Sequence, residues 1–222
     1  MQNKKGLKRF LILLAAYLPV HVVYTKIVLR FLEMPMPFSV MLQILSYLVL
    51  GSTGVVVFRD EWKAGIALWK EQTGKTLCLL LAAFVLDILL SNLAALPMMQ
   101  LDPEYQSMNE HAVSELRGRF PALLLIVAFG VMGPITEEAV FRLAPMGLTE
   151  KKGQQLPVIL GAAVLFMLVH LHAFTVKEVL SNLPHLATGL VYGLALLLSR
   201  NATLPVLLHM MNNLPAMVLG TL

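Results

Sequence analysis

Apolar runs of about 20 residues recur from one end of this chain to the other, and each is long enough to cross a hydrocarbon core about 30 Å thick. A backbone inside lipid must satisfy its own hydrogen-bonding groups, which a helix does. The expected fold is therefore all-α, a polytopic bundle of transmembrane helices. Composition agrees: of 222 residues, 58% are hydrophobic and only 14% charged, and the mean hydropathy is +0.75. A chain of this length leaves no room for a separate soluble domain.

The spacing predicts seven spans, over roughly 7–32, 38–58, 76–99, 121–148, 157–176, 183–199 and 202–222. His21 and Lys26 interrupt the first and are expected to face a neighbouring helix or to snorkel. Met34-Pro35-Met36-Pro37 closes it with a stiff turn. Trp62 and Trp69, with Ile66 between them, mark a short amphipathic helix at the membrane interface, a candidate eighth element. Asp87, within the third run, is expected to make a structural hydrogen bond.

Basic residues stand between the apolar runs, so the net charge of +4 reads as a topology signal and not as a nucleic-acid surface. Lys4, Lys5, Lys8 and Arg9 put the N-terminus in the cytoplasm, as do Lys151-Lys152 for their loop; the acidic stretch 100–120 lies outside. The run after Arg9 is too long, and too poor in a small-residue cleavage site, to be a removed leader. The one cysteine, Cys78, excludes an intrachain disulfide and a thiol metal site and is expected in the core.

Pro134-Ile-Thr-Glu137-Glu138-Ala-Val-Phe141-Arg142 breaks the apolar pattern. Three charges at mid-helix cost roughly 8 to 10 kcal/mol on insertion scales, so they must face protein or water, and such residues mark a functional site. Glu138 and Arg142, four apart, share a helix face and can pair; Glu137, about 100° around the helix, is left without that partner. A desolvated carboxyl is what a general acid/base needs near neutrality. A polar cluster that only holds helices together is the competing reading.

Two later runs carry groups that could meet Glu137. Phe166 and His170 share one face, with His172 pointing elsewhere; His209 and Asn213 share another, with Asn212 turned away. At ~1.5 Å per residue from the cytoplasmic ends, Glu137 lies ~15 Å deep, His170 ~20 Å and His209 ~10 Å, close enough to meet in the cytoplasmic half of the membrane. A Glu and a His can deprotonate a water, while a His and an Asn can donate to an oxyanion, which together suffice to hydrolyse an amide.

Glu137-Glu138-x-x-x-Arg142, Phe166-x-x-x-His170 and His209-x-x-x-Asn213 resemble the EExxxR, FxxxH and HxxxN motifs of the CPBP intramembrane proteases, the CAAX-prenyl endopeptidase and bacteriocin-processing (Abi) family. The resemblance covers about 121–222, the expected catalytic core; 1–120, the N-terminal helices and loops, carries no motif. It implies an intramembrane endopeptidase in which Glu137 is the base, His170 helps activate water, and His209 and Asn213 stabilise the oxyanion. Glu138, Arg142 and Phe166 organise the site. Leu143 stands where the family often has Gly.

The resemblance implies no cofactor and no metal; a zinc site of Glu and two His is the rival chemistry, although no HExxH is present. The implied partners are the lipid bilayer and a hydrophobic or lipidated peptide, in a bacterial cytoplasmic membrane. A non-catalytic membrane regulator or immunity protein acting through partner contacts is the alternative from another class. A proton-relay transporter is a third, without the internal repeat such folds carry.

Overall fold

In the computed structural model, which describes residues 2–17, 36–117, 119–149 and 152–219, every regular element is helical. In chain order these are α1 (Gln2–Tyr17), α2 (Met36–Val57), α3 (Arg59–Glu71), α4 (Thr73–Leu101) and α5 (Met108–Arg117). There follow α6 (Ala122–Met146), α7 (Gln155–His170), α8 (Val176–Ser181), α9 (Leu183–Ser199) and α10 (Thr203–Leu219). His21, Lys26, the Met34-Pro35 part of the turn and Lys151 lie outside the described residues.

Four segments among the described residues are long and apolar enough to cross a membrane: Val40–Val57, Thr73–Leu101, Ala122–Met146 and Val176–Ser199. The chain is thus an integral, multi-pass helical membrane protein. Seven separate crossings are not resolved by length alone, because α7 and α10 have 16 and 17 residues. The expected fifth span also stops early. Leu171 leaves the helix with φ −69° and ψ 131°, and Thr175 caps α8 by accepting from the Glu178 N–H.

The α4 helix has the clearest division of faces. Leu77, Leu81, Val85, Leu89, Leu93 and Leu96 point outward, while Thr76, Leu80, Asp87 and Met98 are buried. In water such an outward face would be a liability; in a bilayer it meets acyl chains. Cys78 lies exposed on this helix and not in the core, a correction to its expected place. An apolar run alone does not distinguish a lipid-facing position from a protein-facing one.

Inside the bundle, α9 packs along both α7 and α4, and α6 is surrounded by α1, α2, α7 and α10. Gly189 and Gly193, four apart on α9, permit the contact with α7: a Cβ on Gly189 would lie 2.9 Å from the Ala163 Cα, and one on Gly193 2.6 Å from Ile159 Cγ2. The amphipathic α3 forms as expected, with Asp60 and Glu61 in its first turn and Lys70 in its last, suiting the helix dipole. Its tryptophans are anchored to protein. Trp69 Nε1 donates to Thr203 Oγ1 (2.9 Å), Trp62 Nε1 to the Gly54 carbonyl (3.3 Å), and Asn201 Nδ2 to the Gly65 carbonyl (3.2 Å). α3 therefore ties the α9–α10 turn to the end of α2.

Candidate active site

The α6 helix is not a regular α-helix, and its irregularity positions the site. Ile126–Met132 and Ala139–Leu143 are wound as π-helix, on either side of an α-helical segment, Gly133–Glu138. Such i→i+5 insertions are rare and frequent at functional sites. In the first stretch the Gly133 N–H reaches back to the Ala128 carbonyl. The next donor in that register would come from residue 134, which is proline and has no N–H. The Phe129 carbonyl is left for a side chain, and Asn213 Nδ2 on α10 donates to it at 3.2 Å. Pro134 thus fixes where Asn213 docks.

One helical turn further on, four ionisable groups are gathered almost out of reach of solvent: Glu137 is 6%, Glu138 0%, Arg142 2% and His209 5% exposed. Arg142 Nε lies 3.2 Å from Glu138 Oε2, the expected i,i+4 ion pair. On its other oxygen Glu138 accepts from His209 Nδ1 at 2.9 Å, which orients the imidazole as a carboxylate orients a catalytic or metal-bound histidine. His209 Nε2 then faces Glu137 Oε2 at 3.6 Å, longer than a hydrogen bond. Among the described residues the Arg142 Nη groups find no hydrogen-bond partner. The guanidinium instead lies over the Phe166 ring, 4.3 Å from its centroid, with Tyr192 at 5.6 Å.

Glu137, expected to lack a partner, has one from a part of the chain without a motif. The Tyr47 hydroxyl of α2 donates to Glu137 Oε1 at 2.9 Å. Its phenol packs edge-on against Phe129, with centroids 5.5 Å apart. A lone Tyr in an apolar run carries no signal in a sequence that would mark it as Glu137's partner.

Phe166 is the hub between the motifs. Its ring packs against Phe141 (5.5 Å), His209 (5.9 Å) and His170 (4.7 Å), as well as against Arg142. His170 is thus brought to the same aromatic centre as His209. His170 Nδ1 lies 2.7 Å from the Phe166 carbonyl; a carbonyl only accepts, so Nδ1 carries the proton and a neutral ring keeps its lone pair on Nε2. The His172 backbone N–H lies 3.4 Å from Glu178 Oε1. Leu143 is 7% exposed and packs in the core with α1 and α7 residues.

Next to this cluster stands a second polar group. Asp87 accepts from Ser91 (3.5 Å), Tyr192 (3.3 Å) and Asn212, whose amide also reaches the Tyr192 hydroxyl at 2.7 Å. Asp87 therefore makes the structural hydrogen bonds expected of it, and Asn212 is turned from Glu137 toward it. Among the described residues, no group of three or more His, Cys, Asp or Glu is arranged to hold a metal ion.

A multi-pass helical bundle with a carboxylate, histidine and arginine cluster buried within it is the class that fold and site define. Residues 119–215 match the family model described as type II CAAX prenyl endopeptidase Rce1-like, so this part of the chain is a CPBP-family domain, from a family of proteases. No curated protein and no solved structure matches the chain.

Proposed function

We propose that the protein is an intramembrane endopeptidase that hydrolyses a peptide bond in a hydrophobic or lipidated substrate. The carrying observation is the buried pairing of Glu137 and Glu138 around His209 within a protease-family domain. Glu137 is the general base. Tyr47 occupies one of its oxygens and leaves Oε2 facing His209, the edge at which a water proton would be accepted. His170 presents the lone pair of Nε2 and shares in activating the water. When His209 is protonated at both nitrogens, Glu138 holds Nδ1–H and Nε2–H remains for the developing oxyanion. Asn213 gives one amide hydrogen to the Phe129 carbonyl and keeps the second for the same oxyanion. Glu138, Arg142 and Phe166 hold these groups in place.

Residues 121–222 form the catalytic core in this reading, with 1–120 as the membrane scaffold that supplies Tyr47. The chain crosses the membrane seven times with its N-terminus in the cytoplasm, α7 and α10 crossing as short helices inside the bundle, in a bacterial cytoplasmic membrane. The substrate is a peptide precursor that reaches the site from within the bilayer.

The test is cleavage by the purified protein in detergent of a peptide panel, prenylated and unmodified, with and without a strong chelator. Glu137→Gln keeps shape and removes the base, so turnover should fall by about 100-fold or more, and His170→Ala should do the same. Full activity in Glu137→Gln would end this mechanism. Chelator-sensitive cleavage would move the assignment to a metalloprotease.

A further inference from the structure

One histidine beside the site belongs to none of the three motifs. His185, in the first turn of α9, stacks on His170: the ring centroids are 4.1 Å apart and the planes differ by 23°. His170 is the last residue of α7, where the following helical turn is missing and cannot confine its side chain. The terminal torsion of a histidine is broad by itself. Contacts with Phe166 and His185 replace that confinement. The Phe166 carbonyl holds Nδ1, the Phe166 ring meets the imidazole at 64°, and His185 covers a face.

The ground on which His185 stands is itself built from buried polar groups. The His185 N–H donates to the Asn182 carbonyl (3.0 Å), and Asn182 Nδ2 donates to the Glu178 carbonyl (2.8 Å). The Glu178 carboxylate, fully buried, accepts from the Tyr105 hydroxyl (2.9 Å), the Met108 N–H (3.2 Å) and the His172 N–H (3.4 Å). Glu178 therefore ties the turn leaving His170, through its carboxylate, to the helix start that carries His185, through its backbone carbonyl. Above it, Lys177 binds Asp102 at 2.7 Å and, through that hydrogen bond, holds the Asp102 carboxyl below the usual carboxylate range.

We infer that His185 is a positioning residue for His170: its stacked ring sets the plane of the His170 imidazole and so the direction of the Nε2 lone pair. This rests on the hydrolytic role of His170 given above. Stacking needs a flat face but no ring nitrogen, so the inference separates ring shape from ring chemistry.

Three variants test it. His185→Phe keeps a flat ring, His185→Leu keeps volume without one, and His185→Ala removes both. Leu and Ala should lower kcat by about 10- to 100-fold with KM little changed, the scale of a misplacement of ~1 Å, while Phe should stay within about threefold of wild type. A second readout is independent of cleavage. In protein labelled with 15N-histidine, the His170 ring signal, assigned by its loss in His170→Gln, should show one Nδ1–H tautomer in wild type and in His185→Phe. It should be exchange-broadened or shifted in the Leu and Ala variants.

Wild-type kcat in His185→Leu, a Phe variant as impaired as Leu, or an unchanged His170 signal in Leu and Ala would each overturn the inference. Should Glu137→Gln cleave like wild type, the hydrolytic reading falls on its own, and the nitrogen signal alone decides whether the stack holds the ring.

Discussion

Two polar clusters lie side by side in this bundle, both reached by α10, and they treat their carboxylates in opposite ways. Around Asp87 the acceptors are taken up by neutral donors: Oδ1 by Ser91, and Oδ2 by Tyr192 and Asn212. Around Glu137 and Glu138 the groups are ionisable and left partly unused. Among the described residues two Arg142 nitrogens lack hydrogen bonds, and His209 Nε2 stands 3.6 Å from Glu137. A saturated network rigidifies, whereas a buried group kept short of its partners needs an explanation, which the proposed reaction would supply. The Tyr192 and His209 rings, 5.5 Å apart, put the rigid cluster directly behind the incomplete one.

The same carboxyl-to-amide change in each cluster gives the widest separation. Glu137→Gln should abolish turnover to the extent given above while leaving the thermal transition almost in place. Asp87→Asn should do the reverse. In place of one acceptor its new NH2 group faces either Ser91 Oγ or the Tyr192 and Asn212 donors and disturbs a buried donor–acceptor match, costing about 1 to 3 kcal/mol of stability, while molecules that fold keep most of their kcat. Loss of kcat without loss of stability in Asp87→Asn would erase the distinction between the clusters.

Breaking the ion pair is the next largest effect. Arg142→Ala leaves Glu138 buried without its cation and should cost about 3 to 5 kcal/mol, read as abundance and detergent melting temperature. The pair Glu138→Gln with Arg142→Gln should recover part of that loss. Unchanged abundance in Arg142→Ala would mean the charges are less confined than their burial implies.

Asn213 tests how far one side chain serves both purposes. Losing an oxyanion donor costs about 2.7 to 4 kcal/mol in the transition state. Asn213→Ala should therefore reduce kcat by that amount with KM nearly constant, and should also release the Phe129 carbonyl at about 0.5 to 1.5 kcal/mol of stability. A KM effect with kcat intact would assign Asn213 to substrate binding.

The smallest perturbation touches neither cluster. In a Cys78→Ser background, Gln106→Cys should react with an impermeant thiol reagent added outside intact cells, and Gln154→Cys should not; both positions are exposed. The opposite pattern would invert the orientation and the depth at which both clusters lie.

What the sequence determined by itself follows from periodicity and transfer energy. Long apolar runs require helices in a membrane. Charges too costly for lipid require partners, and four-residue spacing pairs Glu138 with Arg142 in the structure as it does on a helical wheel. Those relations are local, or hold for any fold, so they could be read without one. Tertiary structure decided the rest. Tyr47 reaches Glu137 across 90 positions, and His185 meets His170 only because α9 packs along α7. Cys78 faces outward because α4 presents its other side to the bundle. The first π-wound turn of α6 ends where Pro134 withholds an N–H and Asn213, from another helix, satisfies the orphaned carbonyl. A hydropathy pattern records how much each residue avoids water; it does not record which neighbour takes water's place, and at this site the neighbour sets the chemistry.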